Sequence, residues 1–357
     1  MGLGKWTALS ITLVILSISS TLADSRYDDK EQQDFDNNIK QDKVTLTIAV
    51  YRDQAYVDYF NSVNNLDDLE ALKIHSSAMK YFLGSDSLEP QIDVQFIIRD
   101  TLFTFEEYGI STDTFLTIFN DFHNTEMKSS SAKWDHAILL TGNGSKPEGL
   151  TNFGGFCNVN TSGTVVKAES LHITPLMGVR YIARNMGMEW DVQSTDNYIM
   201  KQELGPGISG WSKKSQTFWD KLSNNKECFK RDLTVEFNLL NYLPGFRTDL
   251  NQQCQAALGT AFTYRTNESS SPCQELICGN STTKETTTVA SLPGIRCDKF
   301  KYCWRGDCRS LTNILHEINE KLVDTTTQPL PGPTLIQAIL KIFIKITRFI
   351  NFFYNRS

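Results

Sequence analysis

HITPLMGVRYIARNMGMEWD, residues 172–191, reads as a helix over 172–187 that stops at Gly187. Glycine is the residue best suited to the left-handed conformation of a helix C-cap. Arg180 and Arg184 stand four apart, so they share one helix face, where like charges repel by about a few tenths of a kcal/mol. Two apolar aromatic residues, Tyr181 and Trp190, and one carboxylate, Asp191, complete the stretch. By itself the segment could be ordinary core, so the chain on either side has to set its meaning.

Upstream, KVTLTIAVYRD (43–53) alternates with β-branched residues and predicts a strand. DDLEALKIHSSAMKYFL (67–83) has apolar residues at helical spacing, QIDVQFIIRD (91–100) predicts a second strand and DTFLTIFNDFHNTEM (113–127) a second helix. WDHAILLTG (134–142) is a third strand. A β-α-β-α-β order implies a largely parallel sheet flanked by helices. GLTNFGGFC (149–157) is a glycine-punctuated loop or edge strand, and SQTFWDKLSNNKECF (215–229) a closing helix.

Lys5, the apolar run 7–20 and small residues up to Ala23 have the plan of a secretory signal peptide over 1–23, too short for a membrane span. Residues 24–43 are polar, acidic and aperiodic and are expected to be disordered. Export exposes the thiols to oxidation, so the eight cysteines read as disulfides. Six of them (Cys254, Cys273, Cys278, Cys297, Cys303 and Cys308) crowd into 55 residues, the density of a small stapled module over 245–310. Asn143, Asn160, Asn267, Asn280 and Asn355 open N-x-[ST] sequons.

The net charge is −6, yet residues 334–357 carry Lys341, Lys345, Arg348 and Arg356 and no acid. Basic charge is thus confined to a tail, not spread over a face that would track nucleic acid. Residues 311–333 are a helix followed by a Pro/Thr linker. TLIQAILKIFIKITRFINFF (334–353) then places Lys341, Lys345 and Arg348 on one narrow polar stripe of an otherwise apolar helix. Three cations at the centre would cost roughly 2.5–3.5 kcal/mol each in a transmembrane span. Two readings stand: an amphipathic helix lying on an anionic membrane surface, or a helix packed on its own fold or in an oligomer.

In order and spacing these segments resemble the reprolysin-type metzincins, and most closely the ADAM-TS branch of secreted metalloproteases. The signature H-E-x-x-H-x-x-G-x-x-H-D binds zinc through three histidines and uses the glutamate as general base. Its register falls on residues 180–191, where Gly187 and Asp191 match. Arg180, Tyr181, Arg184 and Trp190 stand where His, Glu, His and His belong. GLTNFGGFCNVN resembles the family's edge-strand region, and YIMKQELGPGISGWS its Met-turn, with Met200 as the methionine. DLNQQCQAALGTAF, CQELIC and GIRCDKFKYCWRGDC resemble the disintegrin-like, cysteine-rich module, with six cysteines where the family usually has eight.

The resemblance implies an α/β (α+β) fold: a metzincin-like twisted mixed sheet with helices over 44–232, a small disulfide-rich module, and the C-terminal amphipathic helix. It implies a Cys157–Cys228 bridge. It also implies loss of the zinc chemistry. A guanidinium and an indole N–H offer no lone pair, and a phenol with a pKa of about 10 is a poor base. The five histidines, at 75, 123, 136, 172 and 316, contain no pair four apart that could rebuild the site. The expectation is therefore no catalytic residue and no cofactor, with zinc lost and calcium doubtful, and no need for the family's latency prodomain.

For Arg180 and Arg184 two readings remain. They are solvated or paired to Glu189 or Asp191 in a drifted cleft, or they recruit carboxylates of an extended peptide held on the edge strand. In function these amount to a secreted pseudoprotease that binds an extracellular protein or peptide or acts as a decoy, as in venom or saliva secretions. The alternatives are a membrane-active effector working through its tail, or a zinc metalloendopeptidase by family membership alone.

Overall fold

The computed structural model describes residues 44–315 apart from 64–65, 86, 106–110, 144–147, 172, 193–197, 203–209, 225–228, 230–242, 267–270 and 290. The expected signal peptide, acidic segment and cationic tail lie outside the described residues, as do Cys228, Asn267 and Asn355.

Strand β1 (Val44–Asp53) pairs in parallel with β2 (Ile92–Phe103) on one side and β3 (His136–Thr141) on the other. Beyond β3 come β5 (Gly163–Lys167), also parallel, and β4 (Gly149–Thr151), antiparallel to β5. The order β2-β1-β3-β5-β4 makes one mixed sheet with a short reversed edge. Side chains alternate between the faces of a strand, and here the alternation sorts them into two cores. Leu46, Ile48, Val50, Ile138, Leu140 and Val166 enter one; Ala49, Tyr51, Ala137, Leu139 and Val165 enter the other. Covered on both faces, the central strands read as continuous apolar runs, as parallel strands do.

The first core is closed by α1 (Gln54–Val63), α2 (Asp68–Leu83), α4 (Ile173–Asn185) and α5 (Lys213–Ser223). The second is closed by α3 (Thr112–Ser129), through Phe115, Leu116 and Phe119. In the sheet domain two elements went unread in the sequence, α1 and β5. Helix α1 starts directly where β1 ends: the Asp53 carboxylate accepts from Tyr56 N (2.8 Å) and from Gly142 N (3.1 Å), capping the helix and holding the end of β3. Strand β5 is five residues long and opens on glycine, so it carries little periodic signal.

Helix α5 begins and ends earlier than the predicted 215–229. Ser212 caps it by accepting from Ser215 N at 3.1 Å, and Asn224 is the C-cap.

The second region is built of two three-stranded antiparallel sheets and α6 (Leu250–Leu258). One sheet joins β6 (Phe262–Tyr264), β7 (Leu276–Asn280) and β8 (Thr286–Val289); the other joins β9 (Arg296–Asp298), β10 (Lys301–Trp304) and β11 (Asp307–Ser310). Disulfides Cys254–Cys278, Cys273–Cys303 and Cys297–Cys308 replace the large apolar core that so small a unit lacks. Leu243 and Trp304 enter the first core, with Trp304 5.1 Å from Tyr81, ring centre to ring centre. Among the described residues no helix is long and apolar enough to cross a membrane.

Candidate functional site

Helix α4 runs beneath the reversed edge of the sheet and ends in a Schellman motif. Met188 N donates to Ala183 O at 2.9 Å and Gly187 N to Arg184 O at 3.0 Å, with Gly187 at φ +92°. That turn brings Trp190 back over the helix. The Arg180 guanidinium carbon lies 4.7 Å from the Trp190 ring centre, and that of Arg184 lies 5.3 Å from it. Arg184 also lies 4.2 Å from the ring of Phe153, which is 53% exposed. Tyr181 meets Trp190 edge-on at 6.1 Å. Cations and aromatic faces therefore alternate through the site, each ring accepting positive charge on its π face.

Arg180 is buried, 3% exposed, and its Nη2 donates to the carbonyls of Lys201 (2.7 Å) and Gln202 (3.0 Å). Those carbonyls follow Met200, which is fully buried and whose own carbonyl accepts from Asp191 N at 2.7 Å. Arg180 thus ties α4 to the turn that carries Met200. Its Nε and Nη1 have no hydrogen-bond acceptor among the described residues, which leaves the Trp190 ring to meet part of the charge. Burial lowers its pKa, against the fields of Tyr181 and Glu148.

Neither arginine takes Glu189 or Asp191 as the partner expected in a drifted cleft. Glu189 pairs with Lys214 at 3.0 Å. Asp191 Oδ1 accepts from Ser212 Oγ at 2.9 Å, while its buried Oδ2 has no partner among the described residues and burial raises its pKa. Arg184 donates from Nη1 to Met188 O at 3.0 Å, bracing the C-terminal turn of its own helix. Tyr181, whose pKa is raised by burial and by Glu148, lies against β4: a Cβ on Gly149 would come within 2.4 Å of its ring. A side chain at 149 would expel that ring.

A zinc ion does not fit these residues. Guanidinium N–H groups and an indole supply no lone pair, and the Tyr181 phenol, its pKa raised, together with the single carboxylate Asp191 falls short of the three protein ligands that a tetrahedral catalytic centre needs. Among the remaining histidines, three are buried far from such a role. His75 lies between the Tyr56 hydroxyl (2.9 Å) and Ser170 O (3.3 Å). His123 lies beside Asn120 at 3.3 Å, and His136 stacks on Phe156 at 5.9 Å.

Asn143 and Asn280 are half-buried and Asn160 exposed; Asn280 Oδ1 already accepts from Thr282 N at 2.8 Å. Cys157 is disulfide-bonded, and its expected partner Cys228 lies outside the described residues. Lys341, Lys345 and Arg348 lie outside them too.

Comparison with known proteins matches residues 107–229 to the Reprolysin (M12B) family zinc metalloprotease and residues 244–309 to ADAMTS cysteine-rich domain 2. The match spans α3 through α5 and then the disulfide-rich sheets. A curated relative, "A disintegrin and metalloproteinase with thrombospondin motifs adt-1" of Caenorhabditis elegans, is 24% identical over 311 residues, covering 76% of this chain and 21% of that protein. The chain therefore spans about a fifth of the length of the relative it matches. A solved structure titled "Structure of a chaperone-substrate complex" superposes with TM-score 0.36 at 8% identity, over 51% of this chain and 35% of that one, and at that score carries no argument.

The expectation of no cofactor is corrected by two findings. The matched family is one of zinc metalloproteases. In addition, the sulfurs of Cys273, Cys297 and Cys303 lie within 4.8 Å of one another, a group able to hold a metal ion. Each of these sulfurs is in a disulfide, so metal would enter there only on reduction. Sequence reading missed this group because it depends on the pairing of distant strands.

Proposed function

We propose that this reprolysin/ADAM-TS-like chain, with matches to the Reprolysin (M12B) family zinc metalloprotease and to ADAMTS cysteine-rich domain 2, acts outside the cell as a pseudoprotease, by binding a protein rather than cutting one. The observation that carries the reading is Arg180. A buried guanidinium clamps the carbonyls of Lys201 and Gln202 and stacks on Trp190, at the positions where the family's first and third histidines stand. Peptide hydrolysis by the family's mechanism requires a metal-bound water and a carboxylate base. At 180–191 the base position is Tyr181, held by aromatic packing.

What remains of the cleft suits an extended, acidic peptide. Strand β4 pairs with β5 along one edge, and beside it the exposed ring of Phe153 and the half-buried Arg184 offer an apolar contact and a cation. The partner is therefore an extracellular protein with an extended segment bearing carboxylates.

The test has two arms. The exported full chain is incubated with a fluorogenic peptide library and is expected to cleave none of it. Chelator-sensitive cleavage would overturn the pseudoprotease reading. The same chain and its Phe153→Ala/Arg184→Glu variant are then titrated with a library of immobilised acidic peptides. Binding that the variant loses supports the cleft; equal binding by both excludes it.

A further inference from the structure

We propose that the turn between β9 and β10 is a membrane-docking tip that seats Phe300 in the interface of an anionic lipid surface. Phe300 is 69% exposed, the most exposed of the large apolar side chains among the described residues. It also has φ +64°, a left-handed conformation that a bulky aromatic residue rarely adopts and that glycine or asparagine would take at less cost. An apolar ring kept in water on a strained backbone is doubly unfavourable for the isolated fold. A single exposed apolar side chain is ordinary, but one held on a strained backbone sets Phe300 apart as a contact point.

The surroundings define the receiver. Arg296, Lys299 and Lys301, exposed on the same turn and its flanking strands, outnumber Asp298, which pairs with Lys301 at 3.3 Å. The Lys299 ammonium lies 5.7 Å from the Phe300 ring centre. A cation beside one exposed apolar ring, on a turn where cations outnumber acids, is complementary to anionic headgroups over acyl chains.

The tip is rigid. Cys297 on one arm is bonded to Cys308 and Cys303 on the other to Cys273, so the ring is presented without an ordering cost. Trp304, at the far end of β10, packs on Tyr81, and four steps along the chain, about 13 Å, lead from it to Phe300.

A protein partner is the poorer occupant. A stable protein interface covers about 800 Å² on each side, whereas this two-residue turn and its flanks offer one ring and a few cations. A bilayer asks for no more than that, because apolar insertion and electrostatic attraction act on each group separately.

Phe300→Gly makes the test sharp, because glycine relieves the left-handed strain while removing the ring. The full chain and its variants are sedimented with phosphatidylserine/phosphatidylcholine vesicles and with pure phosphatidylcholine vesicles. The tail could bind lipid independently, so each variant is also made in a full chain bearing Lys341→Glu, Lys345→Glu and Arg348→Glu.

In both backgrounds, Phe300→Gly is expected to weaken binding to the anionic vesicles by at least tenfold with no loss of thermal stability. Lys299→Glu is expected to weaken it by roughly fivefold or more, as removal of one cation from such a surface does. Unchanged binding of the Phe300→Gly chain in the tail-reversed background, or equal binding to neutral vesicles, would overturn the proposal. A variant that melts lower than wild type is replaced by Phe300→Asn, which also tolerates the left-handed turn, and the same comparison decides.

Discussion

Arg180 shows how one residue can be legible while its role is not. Its type, a cation where a metal ligand is expected, is read directly from the sequence. Its acceptors are not, because the carbonyls of Lys201 and Gln202 belong to a turn about twenty residues on that no side-chain pattern marks. A buried fork of this kind is costly to break. Arg180→Ala strands two carbonyls and removes the cation beneath Trp190, and is expected to cost about 2–4 kcal/mol. Arg180→Lys should recover part of that, since an ammonium donates but cannot fork or stack as a guanidinium does. Urea denaturation of both variants would check the order; an Arg180→Ala chain as stable as wild type would deny the clamp its structural weight.

At the scale of the element, a helix terminus is legible where a residue with a specific conformational role marks it. Gly187 stands at the end of α4 for a stated reason, a left-handed C′ position, and Gly187→Ala is expected to cost about 1 kcal/mol and fray the turn that carries Trp190. The loss should appear as faster amide exchange at Met188, whose N–H closes the motif. Asp53 is the contrary case. It reads as the last residue of a strand, yet its carboxylate caps α1 and accepts from the backbone N–H of Gly142, the residue after β3. Asp53→Ala should cost about 2 kcal/mol, the upper range for a cap, because a strand end is released together with the helix. Helix α1 escaped notice in the sequence because no linker separates it from β1.

For the molecule as a whole, the buried histidines set a pH dependence. Burial lowers the pKa of His75 to about 3, of His123 to about 4 and of His136 to about 3, with Ser170 O opposing the shift at His75. Each is neutral in the folded chain and would protonate near 6.5 once unfolded. The unfolded state therefore binds more protons between pH 6.5 and about 4, and the stability is complete above 6.5 and falls as pH drops through that window. The slope approaches about 1.4 kcal/mol per pH unit for each histidine. Urea midpoints at pH 7.5, 6 and 5 should decline progressively; a flat profile would show that these sites are hydrated or protonated in the native state.

The strands β1, β2 and β3 and the helices α2, α3 and α4, the glycine at the end of α4, the residue types at 180–191 and the crowding of cysteines were legible in the sequence. Each is a local property: a period, a residue type or a spacing. The tertiary structure alone decided which cysteines pair, which carbonyls Arg180 holds, that β5 lies between β3 and β4, and that Phe300 projects from a disulfide-held tip. These features depend on groups far apart in the chain, brought together when the sheet buries both faces and the small module closes. Side-chain chemistry sets what each residue can do, but the packing of distant segments sets what it meets.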